Sequence, residues 1–279
     1  MNKKLKKKGS GFKIVIIFLL IIVGASTLLT GGVFPKLTNS VPPNQGQANI
    51  PETNVTSGNN TSLQIKTFGF KTLPPIPQSC AQTLAVDFLV DRSGSMGKGS
   101  KMTELKKGLI LFTGSLTDNA VIGMQSFSDT PSEVIPFSYY KSVKTQVTNA
   151  INSMQPNGWT YTKDAFVFTK QKLDAGVPKY PGYKFALIFV SDGVPEIPNN
   201  PAGGRFAPSQ DPTDIATQLK QTGIRIFTIA YVDNTDAAVN SQLQAMMRRI
   251  ASSTTDYYIA PDPAKISSIL TQITTQLCK

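Results

Sequence analysis

Between residues 80 and 277 the sequence switches repeatedly between two hydrophobic rhythms, and that alternation is the strongest constraint on its fold. Short apolar runs rich in β-branched and aromatic residues recur at 83–90, 121–127, 185–190, 224–232 and 257–260. Runs of this length read as strands, and the fully apolar ones as strands buried on both faces. Between them, apolar residues return every three or four positions, as in Met102, Leu105, Leu109 and Phe112, or Val143, Val147 and Ile151. The same spacing recurs in Leu243, Met246, Met247 and Ile250, and in Ile266, Ile269 and Ile273. This is the pattern of helices that bury one stripe. A further helix is predicted over 162–173, and Asp211-Pro212-Thr213-Asp214 has the chemistry of a helix start. Residues 134–137, short and flanked by prolines, read as an edge strand. The whole predicts an α/β fold: a doubly wound, mostly parallel sheet with helices on both faces. Two acids interrupt the pattern. Asp87, inside the first run, is expected to be hydrogen-bonded or at a solvated sheet end, and Asp236 is expected to be a solvated loop residue.

Open α/β sheets bind ligands beyond the carboxyl ends of their strands, and two such ends and one loop before a helix carry oxygen ligands here. The first run leads into Asp91-Arg92-Ser93-Gly94-Ser95-Met96. Asn157-Gly158-Trp159-Thr160 stands just before the helix at 162–173, and Ser191-Asp192-Gly193 follows the run 185–190. Carboxylate and hydroxyl oxygens suit a hard divalent cation, Mg²⁺ or else Mn²⁺ or Ca²⁺. Asp91, Ser93 and Ser95 alone are too few for six-fold coordination, so Thr160 and Asp192 are candidates for the remainder.

Asp91-x-Ser93-x-Ser95, then Gly158-x-Thr160 before a helix, then a strand ending in Ser191-Asp192-Gly193, resembles the von Willebrand factor type A domain. That Rossmann-like domain, shared with integrin I domains, carries a metal-ion-dependent adhesion site. The resemblance implies that Ser93 and Ser95 bind the ion directly, and Thr160 directly or through water. Asp91 and Asp192 would act mainly through water and hydrogen bonds. It also implies an open coordination position that the Asp or Glu carboxylate of a protein partner fills. Some members tie their termini with a disulfide, which implies the same for Cys80 and Cys278, the only cysteines. Trp159 is a departure, since many members have a second glycine there. Its ring is either a partner-facing aromatic or a cover folded onto the loop.

The net charge of +11 suggests nucleic acid until it is located. Lys3, Lys4, Lys6, Lys7, Lys8 and Lys13 all precede residue 31 and no acid does, so less than half of the excess belongs to the rest of the chain. Nucleic-acid binding is discounted. Residues 1–11 read as a basic cytoplasmic tail and 12–34, nearly all apolar, as a transmembrane signal anchor. By the positive-inside rule the remainder is extracytoplasmic, so the protein is expected to be single-pass in the cell membrane. A cleaved signal peptide is the competing reading of the same segment. Residues 35–79, rich in Pro, Asn and Thr, read as a linker, and 80–279 as the domain. With no histidine, neither imidazole zinc sites nor Ser-His or Cys-His pairs exist within the chain, and no Gly-x-x-x-x-Gly-Lys loop is present. The chain is therefore expected not to be an enzyme. The function expected is divalent-metal-dependent protein binding or adhesion by a membrane-anchored domain. The alternative is a structural subunit of an envelope or pilus-type assembly that docks through the same domain.

Overall fold

A computed structural model describes residues 83–232 and 236–277. The predicted tail at 1–11, the anchor at 12–34, the linker at 35–79, and both Cys80 and Cys278 lie outside the described residues. Among the described residues, no helix is long and apolar enough to cross a membrane.

Six strands form one sheet: β1 (Leu84–Asp91), β2 (Val121–Phe127), β3 (Pro131–Tyr139), β4 (Lys184–Ser191), β5 (Arg225–Tyr231) and β6 (Tyr257–Ala260). Their order is β3-β2-β1-β4-β5-β6, and every pairing is parallel except that of β3 with β2. Among the described residues, five α-helices lie between these strands and a sixth follows β6: α1 (Lys101–Gly114), α2 (Tyr140–Ser153), α3 (Thr162–Gly176), α4 (Thr213–Gln221), α5 (Ala237–Ile250) and α6 (Ile266–Gln276). The mostly parallel sheet read from the alternating rhythms is therefore present.

Successive strand residues point to opposite faces, and β1 shows the division. Leu84, Val86, Phe88 and Val90 join the core formed with α1, α2 and α6. Ala85 and Leu89 join the core formed with α3, α4 and α5. On the first face α6 lies close against α1, because a Cβ on Gly108 would come within 3.0 Å of the Leu270 side chain. Both faces of β1 are covered and both of its edges are paired, so the strand is buried along its whole length.

Three local expectations need correction. The edge strand is longer than 134–137. Pro131 begins it, and Pro136 falls where the β2–β3 register shifts, so neither proline removes a needed ladder donor. Asp236 is a helix cap and not merely a solvated loop acid, because its carboxylate accepts from the backbone N–H groups of Ala238 (3.1 Å) and Val239 (3.0 Å). Asp87 is neither hydrogen-bonded nor solvated. It is fully buried, neither oxygen has a hydrogen bond, and the Gln125 amide and Thr169 hydroxyl are likewise without one. Gly123 makes the room, since a Cβ there would lie 2.7 Å from Asp87 Oδ1.

Candidate metal centre

β1 ends at Asp91, and the chain turns at once into a short 3₁₀ segment over Gly94–Gly97. The Asp91 carboxylate directs that turn. Its Oδ1 accepts from the Ser93 backbone N–H at 2.7 Å, and its Oδ2 accepts from the Ser191 hydroxyl at 2.6 Å. Ser191 closes β4, the neighbouring strand, so Asp91 pins two strand ends together. The Ser93 and Ser95 hydroxyl oxygens then stand 3.0 Å apart, and Ser95 donates to Asp192 Oδ1 at 2.7 Å. A hydroxyl has one hydrogen. With that of Ser95 given to Asp192, Ser93 is the donor between the two serines.

Thr160 arrives from a separate loop held by backbone bonds. Its N–H donates to the Glu196 carbonyl at 3.0 Å, and the Glu196 N–H returns the bond at 3.1 Å. Gly158, with φ of 72°, makes the preceding bend. The Asp129 carboxylate packs against that bend and accepts from the Trp159 N–H at 2.7 Å. The Gly94 N–H donates to the Gly158 carbonyl at 3.0 Å, which joins this loop to the serine loop. A Cβ placed on Gly193 would lie 4.0 Å from both Ser95 Oγ and Thr160 Oγ1, so the threonine and serine hydroxyls converge on one side of Gly193. The structure thus gathers Asp91, Ser93, Ser95, Thr160 and Asp192 at one end of the sheet.

Other residues at the site escaped the sequence reading. Lys101, the first residue of α1, places its ammonium 2.7 Å from Asp192 Oδ2. Ser191, read in the sequence only as part of its motif, and Asp129 fix the two loops as described. Glu196 clamps Thr160 through its backbone and pairs through its side chain with Arg205 at 3.1 Å. Apart from the Glu196–Arg205 pair, the partners lie 30 to 100 positions apart along the chain, and no local spacing announces them. Trp159 is 42% exposed and lines a depression of about 410 Å³ together with Ser93, Ser95, Thr160 and Glu196. Its ring therefore faces outward beside the centre.

The electrostatics fit a cation. Asp91, Ser93, Thr160 and Asp192 are buried and Ser95 partly so. Burial, and then the negative charge of Asp192, push the Asp91 carboxyl up to about 7. A positive ion would relieve both effects. Only two carboxylates contribute. Among the described residues, no group of three or more His, Cys, Asp or Glu side chains is placed to hold a metal. A hydroxyl-rich set with few charges fits an ion that keeps some of its waters, as Mg²⁺ does.

The sequence profile of the von Willebrand factor type A domain matches residues 86–272, about two thirds of the chain. The chain belongs to that family. No curated protein matches the sequence. Among solved structures, the type A domain fold recurs in proximal thread matrix protein 1 of the mussel byssus with a zinc-occupied MIDAS motif (16% identity, 70% of this chain and 48% of that one, TM-score 0.54). It recurs in the vWF domain of the type V pili tip protein Mfa5 from Porphyromonas gingivalis (14% identity, 68% and 93%, TM-score 0.56). The pilus adhesin SpaC from Lactobacillus rhamnosus GG is also similar (16% identity, 70% and 30%, TM-score 0.58). The matched region spans about half the length of the mussel protein. At these identities the likeness is one of fold, and the type A domain's chemistry here has to be argued from its own side chains.

Proposed function

We propose that this type A domain binds a protein partner through a divalent cation held at the carboxyl end of its sheet. Ser93 and Ser95 would ligate the ion directly, Thr160 directly or through water, and Asp91 and Asp192 through water. The ion would supply electrophilic character for an incoming Asp or Glu carboxylate, because few formal charges on its direct ligands leave it wanting another anion. The observation that carries this reading is the chain of contacts from Asp91 through Ser93 and Ser95 to Asp192. Three of its members are buried, and the ends of two neighbouring strands far apart in sequence meet in it. Trp159, exposed at the rim, would give the partner an apolar surface beside its acid. The function is one of binding and not of catalysis. Residues 12–34 would anchor the chain in the membrane with the domain outside. Mg²⁺ is the ion favoured by the hydroxyl-rich donor set.

The test is calorimetric titration of the full chain with MgCl₂, followed by a screen of immobilised surface and matrix proteins with and without chelator. Saturable Mg²⁺ binding that Ser93→Ala abolishes, and capture that chelator reverses, are expected. Capture unaffected by chelator would overturn the reading. A second reading, docking as a subunit of a pilus-type or envelope assembly, draws on the similarity to a pilus tip protein and a pilus adhesin. A stoichiometric complex co-purifying from membranes would favour it over a soluble external ligand.

A further inference from the structure

The centre already contains one positive charge of its own. The Lys101 ammonium and the Asp192 carboxylate, 2.7 Å apart, are only 7% and 0% exposed. The backbone of Lys101 is held on both sides of its Cα. Its N–H donates to the Lys98 carbonyl at 3.3 Å, and its carbonyl accepts from the Tyr231 hydroxyl at 3.3 Å, which ties the root of the side chain to β5. A buried ammonium is costly unless paired, and so is a buried carboxylate. The two carboxylate oxygens are divided between two tasks: Oδ1 takes the Ser95 hydrogen and Oδ2 takes Lys101. The lysine therefore holds the edge of Asp192 that faces away from the serines.

We propose that Lys101 is a resident counter-ion of the metal centre, which keeps Asp192 neutralised without metal and opposes the divalent ion when it enters. This rests on the metal-centre reading above. A divalent ion ligated by Ser93 and Ser95 would sit next to Asp192 Oδ1, across one carboxylate group from the ammonium. Two positive charges that share one buried carboxylate repel each other, and little water lies between to screen them. The lysine thus lowers metal affinity, and in return the serine and aspartate loops stay assembled without an ion. A merely structural ion pair predicts the opposite sign. Removing it would loosen Asp192 and weaken metal binding.

The experiment compares the full-length wild type with Lys101→Gln and Lys101→Met by Mg²⁺ calorimetry and by thermal melting in chelator and in excess MgCl₂. Gln removes the charge while keeping a donor for Asp192 Oδ2, and Met removes both. Both neutral variants are expected to bind Mg²⁺ about tenfold tighter or more, and to gain more melting temperature from Mg²⁺ than the wild type gains. A Met variant that folds only with Mg²⁺ supports the proposal equally. Affinity unchanged or weaker in Lys101→Gln, with Mg²⁺ binding by the wild type intact, overturns the proposal alone. Absence of Mg²⁺ binding in the wild type and in both variants overturns the metal-centre reading and the proposal with it.

Discussion

Strand β1 carries two fully buried carboxylates four residues apart on the same face, Asp87 and Asp91, and their surroundings are opposite. Asp91 has a donor for each oxygen, from the Ser93 backbone and the Ser191 hydroxyl. Neither Asp87 oxygen has a partner within hydrogen-bond geometry, and the Gln125 amide beside it is equally unpaired. Burial pushes both carboxyls upward. At Asp91 the charge of Asp192 adds to the rise while the donors oppose it. At Asp87 burial dominates and the nearby Gln125 offsets only part of it. The difference teaches that burial alone does not mark a site. Supplied donors hold a carboxylate ready to be charged, and their absence leaves one that folds most easily as the neutral acid.

The same isosteric change at the two positions sharpens that contrast. Asp91→Asn removes the charge that the serine loop is built around, so Mg²⁺ affinity should fall at least about a hundredfold, roughly 2.7 kcal/mol. Calorimetry reads this directly. Asp87→Asn should leave Mg²⁺ affinity unchanged, and an equal loss there would erase the distinction.

The next effect is on stability. Asp87 binds its proton more tightly folded than unfolded, so its contribution is fully present below the unfolded carboxylate range and is lost as pH rises toward the raised folded value. Asp87→Asn removes that dependence. Its advantage over wild type should grow with pH and reach about 1–3 kcal/mol near pH 8. Urea midpoints in chelator at pH 5 and pH 8 measure it, and a variant that is less stable at pH 8 would refute it. The smallest effect is at the rim. Trp159→Ala should change stability by no more than about 0.5 kcal/mol while weakening partner capture. A large loss of stability would mean that the indole is holding the threonine loop in place.

Much of this is legible in the sequence, for a physical reason. The rhythm of β1, β2 and β4 is dictated by burial on both faces, and 121–127 in particular reads at its observed bounds. The oxygen-bearing side chains were legible because Ser93 and Ser95 are spaced by a turn that Asp91 itself enforces. Lys101 was not legible. It reads as an ordinary polar residue at the start of a helix until Asp192, 91 positions away, is folded against it. The bareness of Asp87 was not legible either, since a strand pattern shows which way a side chain points but not whether a donor awaits it. Residue 123 is a glycine, yet only the register that sets it beside Asp87 gives that glycine a purpose.

One consequence concerns how the centre would behave under a visiting surface. Its floor is the tip of a strand laddered on both edges, whereas Trp159 and Arg205 ride on connecting segments. Deuterium should enter the amides of 86–90 last of all and those of the surrounding rim early. A guest would then find pliant walls around an unyielding base, and could mould the one without disturbing the other.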